Sequence, residues 1–496
     1  MDDTALYTVA QVRAFDRAAI DAHGIAGYTL MQRAAAYAWS RLRERWPQAR
    51  RIAVICGSGN NGGDGYVLAR LARAAQLDVD VVALGDARAD SDAARARADW
   101  DAAGGATLGA DAAIAPADVY VDAIFGTGLA RPPAGPARQW IERLNAAAGC
   151  VLALDVPSGV DADSGEVPAG AVHAAETVSF VAHKRGLFTG AALDCRGVIS
   201  LDALEIPAPV FDATPPDAHR LSALSIAARL PRRGKNAHKG NFGHVLAVGG
   251  DHGFGGAIRL AGEAALRCGA GLVSVATRAE HVVALNAARP ELMAHGVDGA
   301  RELEALLERA SVVALGPGLG QRAWGHALWY AALASAKPSV IDADGLNLLA
   351  RDRPALPAHS VLTPHPGEAA RLLGVDTVTI AGDRYAAVRA IAARHGAVTV
   401  LKGAGSLVAT PEGEVAVCPW GNPGMASGGI GDVLTGVIAA LLAQGLGAWD
   451  AACVGVALHA RAGDLAARAG QAGMLASDLF APLLRLRNAF SADDDG

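Results

Sequence analysis

Arg51-Ile52-Ala53-Val54-Ile55-Cys56-Gly57-Ser58-Gly59-Asn60-Asn61-Gly62-Gly63-Asp64-Gly65 joins an apolar run to a segment crowded with glycine. The apolar run reads as a buried strand, and Tyr66–Gln76 (YVLARLARAAQ) as the helix that follows. Glycines let a backbone approach a phosphate closely, and a helix start offers free N–H groups and partial positive charge. The competing reading is a tight turn that merely needs positive φ. Two asparagines and an aspartate add side-chain oxygens that a plain turn does not require, which favours a site.

Asp78–Leu84, Val119–Phe125 and Cys150–Val156 read as further strands, separated by amphipathic stretches rich in Ala, Arg and Leu. Continuous apolar strands between helices predict a mainly parallel sheet covered on both faces. Two more strands run into an acid and a flexible loop, VDAIFGTG over Val121–Gly128 and LDVPSGVD over Leu154–Asp161. The C-terminal ends of parallel strands share one edge, which brings Asp64, Asp122 and Asp155 toward a common point. Oxygen donors from Asn61, Asp122 and Ser158 suit a hard cation. Any one of these acids serves equally well as a cap or turn residue. Three at the exits of apolar strands are harder to explain that way.

Ile206 to His219 (IPAPVFDATPPDAH) contains four prolines and little periodicity, the composition of an interdomain linker. Beyond it the alternation resumes. Strands are expected at His244–Val248, Leu272–Ala276, Val312–Leu315, Ser339–Asp342, Ser360–Thr363 and Val398–Leu401. Helices are expected at Ala257–Cys268, Gly429–Leu442 and Trp449–Ala467. A chain of 496 residues is too long for one core. The expected class is α/β, with two tandem three-layer α/β/α domains over residues 1–215 and 222–496.

A net charge of -6 and a pI near 6.2 offer no global attraction for nucleic acid or an anionic membrane. No apolar stretch has the length of a bilayer span; Val433–Leu442 is nearest, interrupted by Gly436. Six scattered cysteines without a C-x-x-C pair read as reduced thiols. The start, Met1-Asp2-Asp3-Thr4, lacks the apolar core of a signal peptide, so a cytoplasmic location is expected. Small-molecule partners and a homo-oligomeric assembly complete that expectation.

Three motifs of the second half carry chemistry. Thr363-Pro364-His365-Pro366-Gly367-Glu368 sets a histidine and a glutamate at a rigid strand exit. Lys402-Gly403-Ala404-Gly405-Ser406 offers a cation and a hydroxyl on a loop suited to phosphate. NPGMASGGIGD, Asn422 to Asp432, opens an apolar helix whose glycine N–H groups form an anion hole for a transferring phosphoryl. Asp432, at its mouth, is placed to take a proton from an attacking hydroxyl. Taken singly, His365 reads as structural, Lys402 as a solvated charge and Asp432 as a first-turn acid opposing the helix dipole. Their order and spacing together argue for a site. The glycine-rich turns at Asp251–Ala257 and Gly316–Gly320 are weaker signals of the same kind.

GSGNNGGDG, VDAIFGTG, DVPSGVDADSG and SFVAHKRGL resemble the NAD(P)HX epimerase family, of YjeF N-terminal type, over roughly residues 1–205. The resemblance implies a Rossmann-like domain that interconverts the C6 epimers of hydrated NAD(P)H (NADHX or NADPHX) and binds potassium. It implies hydrate contacts from Asn60, Asn61, Gly62, Gly63 and Asp64, and from Gly126, Thr127, Gly128, Leu129, Ala130, Arg131 and Pro132. Asp155 would sit at the reacting ring, where it is expected to shuttle the proton that opens and recloses the hydrate, and Asn61, Asp122 and Ser158 would hold K+.

HKGNFGHVLAVGGDHGFGGAIRLAGEAALRCGAGLV, GPGLG, DADGLNLL, LTPHPGEAARLLG, LKGAGSLV and NPGMASGGIGDVLTG resemble the ADP/ATP-dependent NAD(P)HX dehydratases of the ribokinase-like superfamily. That resemblance spans most of residues 225–490. It implies phosphorylation of the C6 hydroxyl, then loss of phosphate to restore NAD(P)H, with Asp432 as catalytic base. It implies hydrate contacts from Ala257, Gly318, His365 and Asp432, and ADP or ATP contacts from Lys402, Gly403, Ala404, Gly405, Ser406 and Gly431. Glu368 would organise Mg2+. GAGS stands where GAGT is common, and both hydroxyls bind phosphate. DADGLN replaces the more usual DADALN, a small change behind the site.

Two rivals differ in class. One keeps the second half as a ribokinase-like kinase for a small hydroxylated metabolite, marked by a phosphorylated product that persists. The other makes the first half a noncatalytic binding or oligomerisation module, against which the retained Asn, Asp and Ser oxygens speak. A Rossmann dehydrogenase ranks last, because Asn-Asn-Gly-Gly stands where a plain G-x-G-x-x-G turn is expected. The choice between NADHX and NADPHX stays open; between the donors, ADP is favoured because the whole chain resembles bacterial fused enzymes.

Overall fold

The computed structural model describes residues 3–129 and 131–490. The chain divides into two compact units, Met1–Ala218 and His219–Gly496. The expected bounds, 215 and 222, fall on either side of this division.

The first unit is built on a seven-stranded parallel sheet. Its spatial order is Thr107–Leu108, Asp78–Ala83, Arg51–Cys56, Val119–Ala123, Cys150–Leu154, Glu176–Phe180 and Val198–Asp202. The chain winds outward from Arg51–Cys56 to one side, then restarts at Val119–Ala123 and winds to the other. Right-handed crossovers then put the helices on opposite faces, and a crevice opens at the strand ends where the winding reverses. The unbroken apolar run in Arg51–Cys56 follows from this layering. Ile52, Val54 and Cys56 pack among Phe15, Leu42 and Leu68 on one face, while Ala53 and Ile55 pack with Trp140 and Ile141 on the other.

In the second unit the sheet runs Val415–Val417, Leu407–Ala409, Val398–Leu401, Val361–Leu362, Ser339–Ile341, Val312–Leu315, His244–Val248, Leu272–Thr277 and Met293–Gly296. All these pairings are parallel except those of Leu407–Ala409, which is antiparallel to both neighbours. Here the winding reverses between His244–Val248 and Val312–Leu315. Helix Ile430–Ala443, buried throughout from Val433 to Leu442, packs against helix Gly255–Arg267. A helix apolar all round belongs in a core of this kind.

Two features depart from the sequence reading. The helix expected at Tyr66 begins at Asn60, so NNGGDG is helical, and no glycine from Gly57 to Gly65 has positive φ. These glycines serve close packing. A Cβ on Gly65 would stand 2.7 Å from the Ala123 Cβ and 2.9 Å from the Cys56 Sγ, and one on Gly62 would fall on the Gly57 carbonyl oxygen. The proline-rich segment is also no free linker. Ile206, Val210 and Phe211 are buried, and the Phe211 ring meets Phe15 edge-on at 5.1 Å between centroids. Pro207 and Pro209 sit at the start of helix Ala208–Asp212, where the missing N–H costs nothing, and Pro215 and Pro216 follow its end.

The first unit also carries two helices for which no expectation was formed, Val9–Asp21 and Gly27–Arg45. No helix among the described residues is long and apolar enough to cross a membrane. All six cysteines are free, and five are buried.

Gly436, midway along helix Ile430–Ala443, tests the packing. Alanine there gains about 1 kcal/mol of helix propensity. Its Cβ would fall on the backbone oxygen of Ala261 and stand 2.9 Å from the Ala264 Cβ. Overpacking against backbone costs about 1–3 kcal/mol or more and outweighs the gain. Gly436→Ala is therefore expected to lower the unfolding temperature, read by calorimetry.

Candidate active sites

At the winding reversal of the first unit lies a cavity of about 520 Å3. Ser58–Asn61, Asp64, Ile124–Gly128, Asp155 and Lys184 line it from the sheet edge, and Val12, Arg13, Asp16 and Ile20 from helix Val9–Asp21. Asp155 follows strand Cys150–Leu154 at φ 66°, a left-handed backbone uncommon for a residue with a Cβ. Its carboxylate accepts the Thr127 N–H at 3.0 Å and pairs with the Lys184 ammonium. Lys184 is 1% exposed and also donates to the Phe180 carbonyl at 2.6 Å. A Cβ on Gly126 would lie 2.6 Å from Asp155 Oδ2 and 3.3 Å from Asn61 Oδ1, so glycine there admits both groups.

Asn61 is buried, and its amide oxygen and nitrogen have no hydrogen-bond partner among the described residues. Asp122 is fully buried and accepts from the Ser158 Oγ at 2.6 Å and the Ser158 N–H at 2.8 Å. Burial pushes its carboxyl up to about 6 against the pull of those bonds. Burial also drives Asp64 well above the carboxylate range, reinforced by Asp155 and Asp16.

Of the residues expected at the hydrate, Asn60, Asn61, Asp64, Gly126, Thr127, Gly128 and Asp155 line this cavity. Gly62 and Gly63 do not; they pack on Gly57 and Met31. Leu129, Arg131 and Pro132 continue the loop outside the lining, and Ala130 lies outside the described residues. Lys184 and Asp16 received no role from the sequence. Lys184 sits inside SFVAHKRGL, and a lysine just beyond an apolar strand was the available signal.

In the second unit one ammonium gathers three carboxylates. Lys402 Nζ lies 2.6 Å from Asp342 Oδ1 and 3.9 Å from Glu368 Oε2, and it feels the charge of Asp432. Asp342 also accepts from Thr435 Oγ1 at 2.8 Å. Glu368 accepts the His365 N–H at 2.8 Å and lies 3.4 Å from His365 Nε2. Asp432 stands in the first turn of helix Ile430–Ala443. Burial, with repulsion from Asp342, pushes it up to about 7, and Lys402 pulls it back. Burial lifts Glu368 to about 7 as well, again opposed by Lys402. Burial opposes the charge of Lys402, but Asp342 and Glu368 outweigh it and hold the ammonium. His365 is lowered by burial and by Lys402, which keeps the imidazole neutral near pH 7.

Gly431 has this cluster against its back, since a Cβ there would meet Lys402 Nζ at 3.2 Å. Ala257 and Gly318 meet at the winding reversal, where Gly250 N–H donates to the Pro317 carbonyl and Asp251 N–H to that of Gly318. Gly403 and Ala404 are exposed, and the Ser406 Oγ donates to the Gly403 carbonyl at 2.9 Å. The expected phosphate loop is thus exposed at Gly403 and Ala404 and buried at Gly405, and Lys402 turns inward from it to Asp342. Asp342 was passed over in DADGLN. Gly345 of that motif does lie behind the site, against Leu315 and Gly316, while Asp342 is at its centre.

A buried aspartate at a glycine-rich helix start on a doubly wound sheet is the arrangement of a ribokinase-like domain, here accompanied by a Rossmann-like one. The family model described as NAD(P)H-hydrate dehydratase matches residues 245–485, and that of the YjeF-related protein N-terminus matches residues 27–186. The chain is 45% identical over 486 residues to the bifunctional NAD(P)H-hydrate repair enzyme Nnr of Coxiella burnetii, covering 97% of this chain and 99% of the relative. It is 44% identical to the enzyme of that name from Escherichia coli, covering 96% and 93%. Among solved structures, the ADP/ATP-dependent NAD(P)H-hydrate dehydratase of Bacillus subtilis, co-crystallised with ATP and Mg2+, is 30% identical with a TM-score of 0.51. That match covers 55% of this chain and 98% of the Bacillus chain. The chain belongs to the family of bifunctional NAD(P)H-hydrate repair enzymes.

Asp432 and Glu368 have folded values of about 7, above those of the unfolded chain. Their contribution to stability is present in full below about pH 4 and is lost as pH rises through about 7. The ligand-free chain is expected to lose on the order of 1 kcal/mol from these groups between pH 6 and pH 8. Calorimetry checks this as a shallower fall for Asp432→Asn than for the parent.

Proposed function

We propose that the second unit phosphorylates the C6 hydroxyl of hydrated NAD(P)H with ADP or ATP and then releases phosphate to restore the reduced nucleotide. The first unit interconverts the two C6 epimers, so that both reach the second. Family membership supports this reading, and the observation that carries it is the near-neutral Asp432 at the glycine-rich helix start beside Lys402, Asp342 and Glu368.

Ionised Asp432 takes the hydroxyl proton as the C6 oxygen attacks the terminal phosphorus. The backbone N–H groups around Gly431 stabilise the phosphoryl charge, and the Gly403–Ser406 loop receives the rest of the nucleotide. Loss of a C5 proton with the phosphate then restores the C5–C6 double bond. Glu368 and Asp342 offer oxygens of the kind Mg2+ requires, and the ion supplies charge neutralisation on the phosphates. In the first unit Asp155, oriented by Lys184, takes the proton from the C6 hydroxyl. The unpartnered Asn61 oxygen, with Asp122 and Ser158, fits K+, which would neutralise charge beside the crevice.

The test is recovery of NADH absorbance from a mixture of both NADHX epimers with Mg2+ and either ADP or ATP. Complete recovery in two phases is expected. Asp432→Asn should slow the nucleotide-dependent phase about 100-fold or more while sparing epimerisation. Asp155→Asn should leave the first phase intact and reduce the second to the unaided rate. The dehydration rate should rise with pH through about 7, because Asp432 acts as a base only when ionised. Absence of nucleotide-dependent recovery overturns the proposal, and a phosphorylated product that persists would favour a small-metabolite kinase.

A further inference from the structure

The chemistry above engages one wall of the first crevice. The opposite wall is helix Val9–Asp21, which precedes the residues 27–186 matched by the family model. Val12, Asp16 and Ile20 recur at four-residue spacing, share one helix face, and all line the cavity. The helix is tethered near its start. Thr8 and Gln11 form a capping box at its start, and Arg13 donates to the Thr127 carbonyl at 2.9 Å, tying it to the loop Gly126–Gly128. Asp16 therefore lines the crevice from a tethered helix, in the same cavity as Asp155 and Lys184.

C6 of the hydrate carries a hydroxyl and the ring nitrogen N1. Opening that centre requires a proton to leave the hydroxyl and another to reach N1. Lys184 and the Thr127 N–H both hold the Asp155 carboxylate in place, which directs it at one atom of the ring and leaves the other to a second group. We propose that Asp16 is the second acid–base group of this site, giving its proton to N1 while Asp155 takes the hydroxyl proton. The C6–N1 bond breaks with its electron pair going to N1, and C6 becomes an aldehyde carbon. Rotation about C5–C6 presents the other face, N1 adds back, and both protons return, so nothing is oxidised or consumed. This inference rests on the epimerase reading of the first unit.

The surroundings suit that role. Burial pushes Asp16 up to about 6; Lys184 and Arg17 oppose the rise and Asp155 adds to it. Asp64 faces the same space from helix Asn60–Ala74, and Asp92 closes the end beside Gly27. Asp16 is thus protonated in part near neutrality, and more so in mild acid.

The full chain tests this by the epimerisation phase of NADH recovery, followed from pH 5 to pH 8. Asp16→Asn should slow that phase about 100-fold, change KM by less than about threefold, and abolish the fall in kcat as pH rises through about 6. Asp16→Glu should recover at least about a tenth of the rate and keep the fall. Dehydration of the epimer consumed directly should be unchanged in both variants, which shows that the second unit is intact. An Asp16→Asn chain at the parental rate overturns the assignment, as does a slower chain whose pH profile keeps the parental shape. A parent chain without epimerase activity overturns the epimerase reading itself, an outcome distinct from either.

Discussion

Every parallel strand delivers the chain to the same edge of its sheet, and both units of this protein are organised by that obligation. In the first unit the edge receives Gly57, the loop after Asp122, Asp155 and the approach to Lys184. In the second it receives Asp251, Gly316, Asp342, the His365–Glu368 turn and Lys402. Where the winding reverses, neighbouring crossovers leave for opposite faces, and no loop covers the gap between them. A crevice follows from connectivity before any side chain is chosen.

Concentrating acids at such an edge has an electrostatic cost, since charges taken from water must be paired or neutralised. Each unit meets it with one lysine placed after a strand. Lys184 pairs with Asp155, and Lys402 with Asp342 and, more distantly, Glu368. Burial raises Asp432 and Glu368 further than Lys402 draws them back, and both are left near neutrality. A carboxyl near neutrality exchanges a proton readily near pH 7, which is what the proposed phosphoryl transfer asks of Asp432.

Close packing completes the arrangement. A helix start reaches the strand edge only if the helix lies near the sheet and its neighbours, and the residues that permit this have no side chain. Gly65 seats helix Asn60–Ala74 against Cys56 and Ala123, and Gly436 seats helix Ile430–Ala443 against the backbone of Ala261. The positions of Asn61, Asp64 and Asp432 depend on that seating, because all three lie in or near the first turns of these helices.

Period and punctuation along the chain were enough to read the layered α/β class, the strands His244–Val248, Val312–Leu315 and Val398–Leu401, and the acids at strand exits. These are local properties: apolar runs declare burial, and a residue after a strand lies at its edge whatever the rest of the chain does. Only the tertiary structure decided that NNGGDG is helix and not loop, that Ile206–His219 is packed by Phe211, and that Lys402 turns to Asp342. It also decided that Asp16 and Lys184 share a cavity with Asp155. Asp16 and Asp155 are far apart in sequence and on different elements, and no periodicity encodes which helix face meets which strand end. That pairing is set by packing across the crevice, where a charge is fixed by what lies opposite and not by what precedes it.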